Sequence, residues 1–156
     1  MRKIFLVLLL FLILGGLFYY KNFASKNIST GVLQPLSADQ QVIYVSDQRP
    51  GQSVNISFAS LNKSSYIVIR SNNNGELGSV LGNSKILPAG EARKVTVGLI
   101  RPSLNGEILF AVIYEDSGDG VFSPGVDVPA KDENGNIIFM MFNVDQGASG
   151  VPEIKI

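Results

Sequence analysis

Acidic side chains are concentrated between residues 115 and 133 of the 156-residue chain. These 19 positions contain six of the 13 acidic residues and, at Lys131, a single base; the acids are Glu115, Asp116, Asp119, Asp127, Asp132 and Glu133. Calcium binds six to eight oxygen atoms, which usually come from carboxylates and carbonyls on a turning, glycine-rich loop. Asp116, Asp119 and Asp127 lie in such a segment, so they are candidate calcium ligands.

The spacing of these acids does not fit the calcium loop that connects two helices. That loop has side-chain ligands at positions 1, 3 and 5, glycine at position 6 and a bidentate acid at position 12. If Gly120 is position 6, position 12 is Val126. If Asp116 is position 1, position 12 is Asp127, but Gly118 and Gly120 then occupy ligand positions. This leaves a non-standard calcium site completed by backbone carbonyls. The alternative is that the Asp and Gly residues only form turns and solvate the loop.

The composition excludes most catalytic functions. The chain contains no Cys, His or Trp. It therefore lacks a thiol nucleophile, the common hydrolytic triads and the usual zinc or copper sites. A carboxylate pair could serve a glycosidase, but those enzymes need a large cleft with aromatic platforms, and Trp is absent. We therefore expect no enzyme activity and no cofactor, with calcium as the alternative.

The N-terminal residues predict a membrane anchor. Arg2 and Lys3 precede a run from Ile4 to Tyr20 that is apolar apart from two glycines and two tyrosine hydroxyls. As a helix this run would span about 25 Å, which is near the lower limit for crossing a bilayer. The basic flank predicts a cytoplasmic N-terminus and a single pass that leaves the remaining chain outside. The positions that follow, such as Asn22, Ala24 and Ser25, fit a small-residue cleavage site poorly, which favours an uncleaved anchor in residues 1–21 over a cleaved signal that would release a secreted protein.

Two further regions follow the anchor. Residues 22–38 have no sustained hydrophobic period and predict a linker or stalk, and residues 39–156 form the exported domain. No stripe of Lys or Arg interleaved with aromatic residues is present, so we expect no nucleic-acid partner. The expected partners are the membrane, through residues 4–20, and an extracellular protein or glycan.

The exported residues show strand periods separated by turn residues and no convincing helical period. The predicted strands are Gln41–Ser46, Ser53–Ala59, Ser65–Ser71, Leu77–Ser84, Ala92–Ile100, Ile108–Tyr114, Asn136–Val144 and a short edge strand at Val151–Ile156. Gly78 and Gly82 indicate bulges or a close backbone approach. Alternation predicts that two sets of side chains point inward: Val54, Ile56 and Phe58, and Val95, Val97 and Leu99.

Two strands, Ile108–Tyr114 and Ile137–Phe142, are apolar at nearly every position. This predicts central strands covered on both faces, or a second face covered by a loop. Seven or eight strands in about 115 residues are typical of an immunoglobulin-like or fibronectin-like antiparallel β-sandwich. The predicted fold is therefore an all-β sandwich preceded by one transmembrane helix.

Between Tyr66 and Val144 the chain resembles an uncharacterised β-sandwich domain family of exported and surface proteins of archaea and bacteria. The matching features are Val80–Ser84, Leu87–Gly90, Val95–Val97, Leu109–Tyr114, Asp116–Phe122, and Asp127 with Pro129. The resemblance implies a β-sandwich, often attached to a surface anchor; the family has no established activity, so the resemblance bears on fold and location only.

These observations together predict a membrane-anchored extracytoplasmic module with a binding or structural role at the cell surface. Sandwich domains present function on their end loops. The loop from Glu115 to Asp127, with the turn at Asp132–Gly135, is therefore the expected contact surface. The alternative is a calcium-stabilised module that uses loop 115–127 and binds a carbohydrate or a protein.

Overall fold

A computed structural model of the protein describes residues 40–149. The predicted anchor, the linker and the predicted strand at Val151–Ile156 lie outside the described residues. Residues 40–149 form eight strands and no helix: β1 (Val42–Tyr44), β2 (Ser53–Leu61), β3 (Ser65–Asn73), β4 (Glu76–Asn83), β5 (Gly90–Gly98), β6 (Ile108–Glu115), β7 (Val128–Pro129) and β8 (Phe139–Asn143). No helix in this part of the chain could therefore span a membrane.

The strands form two antiparallel sheets. The first has the order β1-β2-β5, and the second has the order β4-β3-β6, with β7 and β8 both pairing with β6. This confirms the all-β prediction and is consistent with a β-sandwich. The seven strands predicted within residues 40–149 are all present with shifted ends. The sequence pattern did not predict β7, because a strand of two residues is too short to show alternation.

The core contains apolar side chains from both sheets. Val54 and Ile56 of β2 and Val97 of β5 belong to one buried cluster together with Ile67 and Ile69 of β3. Burial of such side chains removes apolar surface from water and is the main stabilising contribution to the fold. Val97 is buried, and its neighbours at 95 and 99 pack against the same cluster, which confirms the predicted inward face of this segment.

Strand β6 is central, as its apolar sequence predicts. Its odd-numbered residues from Leu109 to Ile113 belong to the core. Its even-numbered residues from Phe110 to Tyr114 belong to a second buried cluster, against which Phe122 of the following loop packs. A loop thus helps to cover the outer face of β6.

The prediction that Ile137–Phe142 is a central strand is wrong. Strand β8 pairs with β6 and with no other named strand, so it lies at the sheet edge. Phe139 is 47% exposed and Met141 is 52% exposed. An apolar run indicates that its residues favour burial, but it does not indicate how many strands pair with it. Here β3 pairs with one edge of β6 and β8 with the other, and no further named strand pairs with β8.

Phe58 does not point into the core with Val54 and Ile56. It is half-buried on the outer face, where the guanidinium carbon of Arg93 lies 4.9 Å from the centre of its ring. The pairing of β2 with β5 continues past this point without a shift. The alternation of faces breaks opposite Lys94, whose φ of 54° lies in the left-handed region. Before this point the even-numbered residues of β2 are in the core, and after it the odd-numbered residues Ala59 and Leu61 are.

Strands β3 and β4 are joined by the two-residue turn Asn74–Gly75. Their φ values are 52° and 93°, and positive φ at both central residues is the signature of a type I′ hairpin turn. The pairing of β3 with β4 then shifts twice, between Ile69 and Arg70 and between Arg70 and Asn72. These irregularities confirm the bulges that the glycines of β4 predict.

Candidate functional site

The three predicted calcium ligands lie together in the loop between β6 and β7. One carboxylate oxygen from each of Asp116, Asp119 and Asp127 can be chosen so that all three lie within 4.8 Å of one another. Asp127 is buried, with 2% of its surface exposed, whereas Asp116 is half-buried and Asp119 is exposed. The loop therefore concentrates three carboxylates around one point that solvent reaches from the side of Asp119.

Asp127 holds the two ends of the loop together. Its Oδ1 accepts a hydrogen bond of 2.9 Å from the backbone N–H of Ser117, and its Oδ2 accepts one of 2.7 Å from the backbone N–H of Ser123. The N–H of Ser123 is the main cause that lowers the pKa of Asp127; burial opposes the shift, and the N–H and hydroxyl of Ser117 add to it. The carboxylate is thus ionised and fixed before any ligand binds.

Asp116 and Asp119 use only part of their hydrogen-bonding capacity. Asp116 Oδ1 accepts hydrogen bonds from the backbone N–H of Gly120 at 3.1 Å and from the hydroxyl of Tyr66 at 3.4 Å. Asp119 Oδ1 accepts one from the backbone N–H of Val121 at 2.9 Å. The Oδ2 atoms of both residues accept no hydrogen bond from residues 40–149.

Tyr66 connects this loop to the sheet. It lies on β3, directly opposite Tyr114 of β6, and burial is the main cause that raises the pKa of its hydroxyl, with Asp116 as the next cause. The protonated hydroxyl donates to Oδ1 of Asp116. Phe122 packs on both tyrosines, with ring centres 5.4 Å from Tyr66 and 5.5 Å from Tyr114.

The other acids of the segment have separate roles. Glu115 forms an ion pair of 2.8 Å with Lys63 and accepts a hydrogen bond of 3.3 Å from Nε2 of Gln41. Asp132 accepts hydrogen bonds from the backbone N–H groups of Asn134 and Asn136, so it closes its own turn. Among the described residues, the group with metal-ligand geometry contains only the three aspartates of the loop.

Sequence reasoning did not identify Tyr66, Lys63 or Gln41 as parts of this end of the domain. Each is distant in sequence: Tyr66 is 50 residues from Asp116, and Gln41 is 74 residues from Glu115. Strand pairing brings them together, and no local motif reports that pairing. The alternation of apolar residues could place Tyr66 on a strand but could not say which strand lies beside it.

The stability of the domain should decrease in acid, in part through Asp127. Because the folded-state pKa of Asp127 lies below its ordinary value of 3.8, its contribution is present above that value and is lost as the pH falls through the folded-state pKa. We expect the free energy of unfolding, measured by urea denaturation, to fall less steeply from about pH 5 to pH 2.5 in Asp127→Asn than in the wild type. Equal slopes in the two proteins would contradict this assignment.

The fold and the loop define a class: an all-β domain of two antiparallel sheets that carries an acidic, glycine-rich loop after its central strand. Residues 41–145 match the family model described as a domain of unknown function, DUF7282. This match covers more than half of the chain, and the chain belongs to that family. No curated protein and no solved structure gives a significant match.

Proposed function

We propose that the protein is a membrane-anchored module that lies outside the cytoplasm and has a binding or structural role at the cell surface, without catalysis. In this proposal residues 1–21 are the anchor, residues 22–38 are the linker, and residues 39–156 are an exported domain with an immunoglobulin-like or fibronectin-like sandwich. The resemblance to domains of archaeal and bacterial surface proteins supports the same interpretation. The observation that carries it is the basic-then-apolar sequence from Arg2 to Tyr20 ahead of the β domain.

The acidic end of the domain is the proposed contact surface. It consists of the loop Glu115–Asp127 and the turn Asp132–Gly135. Besides its carboxylates this loop presents apolar side chains to solvent, since Val121 is 63% exposed and Val126 is 60% exposed. Binding residues occur disproportionately on loops that a rigid scaffold positions, which supports this end of the domain as the contact surface.

Membrane fractionation combined with protease treatment of intact cells tests the anchor and the location together. With an epitope tag at the C-terminus, we expect the full chain to stay with membranes after alkaline carbonate washing and its domain to be digested from outside. A matched variant, Leu9→Arg, places a charge in the apolar run and should leave the membrane fraction. A wild-type chain in the cytosolic fraction, or a tag protected from external protease, would contradict the proposal.

A second candidate function is a calcium-stabilised module that binds a carbohydrate or a protein. The observation that favours it is the convergence of three carboxylates within 4.8 Å. Asp127 would supply a fixed, ionised group, and the uncommitted Oδ2 atoms of Asp116 and Asp119 would supply further oxygens. Backbone carbonyls and water would complete the six to eight oxygens that calcium needs.

Calcium should raise the melting temperature of the full chain if this second candidate is correct. A ligand at 100 times its dissociation constant adds about 2.7 kcal/mol to the free energy of unfolding. The double variant Asp116→Asn/Asp119→Asn should lose the shift, because it removes two of the three charges. Glu133→Gln, a change of the same kind outside the group, should keep it. An unchanged melting temperature at millimolar calcium would rule this candidate out.

A further inference from the structure

Three stretches of the chain match the acceptor motif for N-linked glycosylation, Asn-X-Ser/Thr with X other than proline. They begin at Asn27, Asn55 and Asn62. The first lies outside the described residues, and the other two lie within β2 and directly after it. A transferase that modifies such a motif must reach both the side-chain amide of the asparagine and the hydroxyl two residues later. The acceptor motif is therefore usable on an exposed surface loop.

The motif at Asn55 lies inside strand β2, where the fold makes it inaccessible. Asn55 pairs with Thr96 of β5, and its side-chain Oδ1 accepts a hydrogen bond of 3.0 Å from the hydroxyl of Thr96. Its backbone N–H and C=O are both bonded to the side chain of Gln48. The hydroxyl of Ser57, the third residue of the motif, is buried. Modification at this position would require β2 to leave its sheet.

The motif at Asn62 lies in an exposed turn. Asn62, Lys63 and Ser64 form the whole connection between β2 and β3, which belong to different sheets. All three residues are exposed, and none of them belongs to a strand. Both residues that the motif requires are therefore at the surface of the folded domain.

This turn lies at the acidic end of the domain. The backbone C=O of Ser64 accepts a hydrogen bond of 3.0 Å from the N–H of Asp116, and Lys63 forms its ion pair with Glu115. The turn is thus held beside the loop that follows β6. A glycan attached to Asn62 would flank the proposed contact surface.

We propose that Asn62 is an N-glycosylation site. In the reaction the side-chain amide nitrogen bonds to the anomeric carbon of the first sugar, while the bond from that carbon to a phosphate oxygen of a lipid-linked sugar donor breaks. The lipid phosphate leaves, and one proton of the amide is released. This inference rests on the proposed function, because N-linked glycans occur on exported domains.

Glycopeptide mass spectrometry tests the inference on the full chain purified from its native cells. We expect the peptide that contains Asn62 to carry the mass of a glycan and the peptide that contains Asn55 to carry none. Asn62→Gln and Ser64→Ala should each abolish the modification, whereas Ser64→Thr should retain it, because threonine keeps the hydroxyl that the motif requires. Asn55→Gln is the matched control and should leave the modification unchanged.

A purified oligosaccharide transferase with a lipid-linked sugar donor tests the role of the fold. We expect Asn62 of the folded full chain to be modified and Asn55 not, and a peptide of residues 50–68, which cannot form the sheets, to be modified at both. Equal modification of both asparagines in the folded chain would contradict the argument from exposure. An unmodified Asn62 on a native chain that cell fractionation places at the cell surface would overturn this inference and leave the proposed location intact. A chain in the cytosolic fraction would contradict the proposed function and this inference with it.

Discussion

Replacement of Asp127 by alanine is expected to lower the free energy of unfolding by about 3 kcal/mol, because hydrogen bonds to a charged group contribute roughly 1.5–3 kcal/mol each. The carboxylate accepts from the backbone N–H groups of Ser117 and Ser123. Alanine leaves both donors without their partner at a site that is 2% exposed. Urea denaturation of the full chain, performed with a chelator to remove calcium, measures the change.

Asp119→Ala is the control for this prediction. Asp119 lies in the same loop, but it is exposed, and its one hydrogen bond joins residues only two positions apart. We expect its effect to stay within about 0.5 kcal/mol, as for most surface substitutions. Equal losses in the two variants would show that the loop depends on its total charge and not on the bonds made by Asp127.

Gly82→Ala is expected to destabilise the domain by about 3 kcal/mol, at the upper end of the usual cost of overpacking. A Cβ at this position of β4 would collide with the backbone carbonyl oxygen of Gly98 on β5. The collision is with main chain, which cannot rotate away as a side chain can. The two strands belong to different sheets, so relief of the clash would require the sheets to separate locally.

Gly98→Ala, at the other residue of this contact, is the control for the prediction. A Cβ at Gly98 would meet no atom within 4 Å, and this glycine has no positive φ that would strain alanine. We therefore expect Gly98→Ala to be neutral or slightly stabilising, because alanine reduces the conformational entropy of the unfolded chain. Thermal melting of both variants measures the contrast, and equal melting temperatures would contradict the close approach of β4 to β5.

Much of the fold follows from local patterns in the sequence. Apolar runs and alternation predict seven of the eight strands of residues 40–149. These predictions succeed because successive side chains of a strand point to opposite faces of the sheet, so a few consecutive residues are enough to show the pattern. The prediction for Phe58 fails because a single left-handed residue on the paired strand, Lys94, breaks the alternation.

The candidate site also combines residues that the sequence predicts with residues that it does not predict. Asp116, Asp119 and Asp127 are predictable because they share one glycine-rich loop, and the structure brings their carboxylates together. The tyrosine that contacts this loop lies on β3, and the glutamine that contacts Glu115 directly precedes β1. Their positions depend on which strands pair, and this is decided by the packing of the whole domain.

The edge position of β8 has a consequence for handling the protein in solution. The backbone N–H and C=O of Asn143 bond to Asp47 and Gln48, which lie on the side away from β6. By alternation, the same groups of Phe139 and Met141 face that side, and none of them bonds to a described residue outside the strand pairing. Among residues 40–149 nothing pairs with this part of the apolar edge, and such an edge can template pairing with another chain. The carboxylate of Asp47 covers the end of this edge, so we expect Asp47→Ala to increase aggregation on concentration, as light scattering would detect.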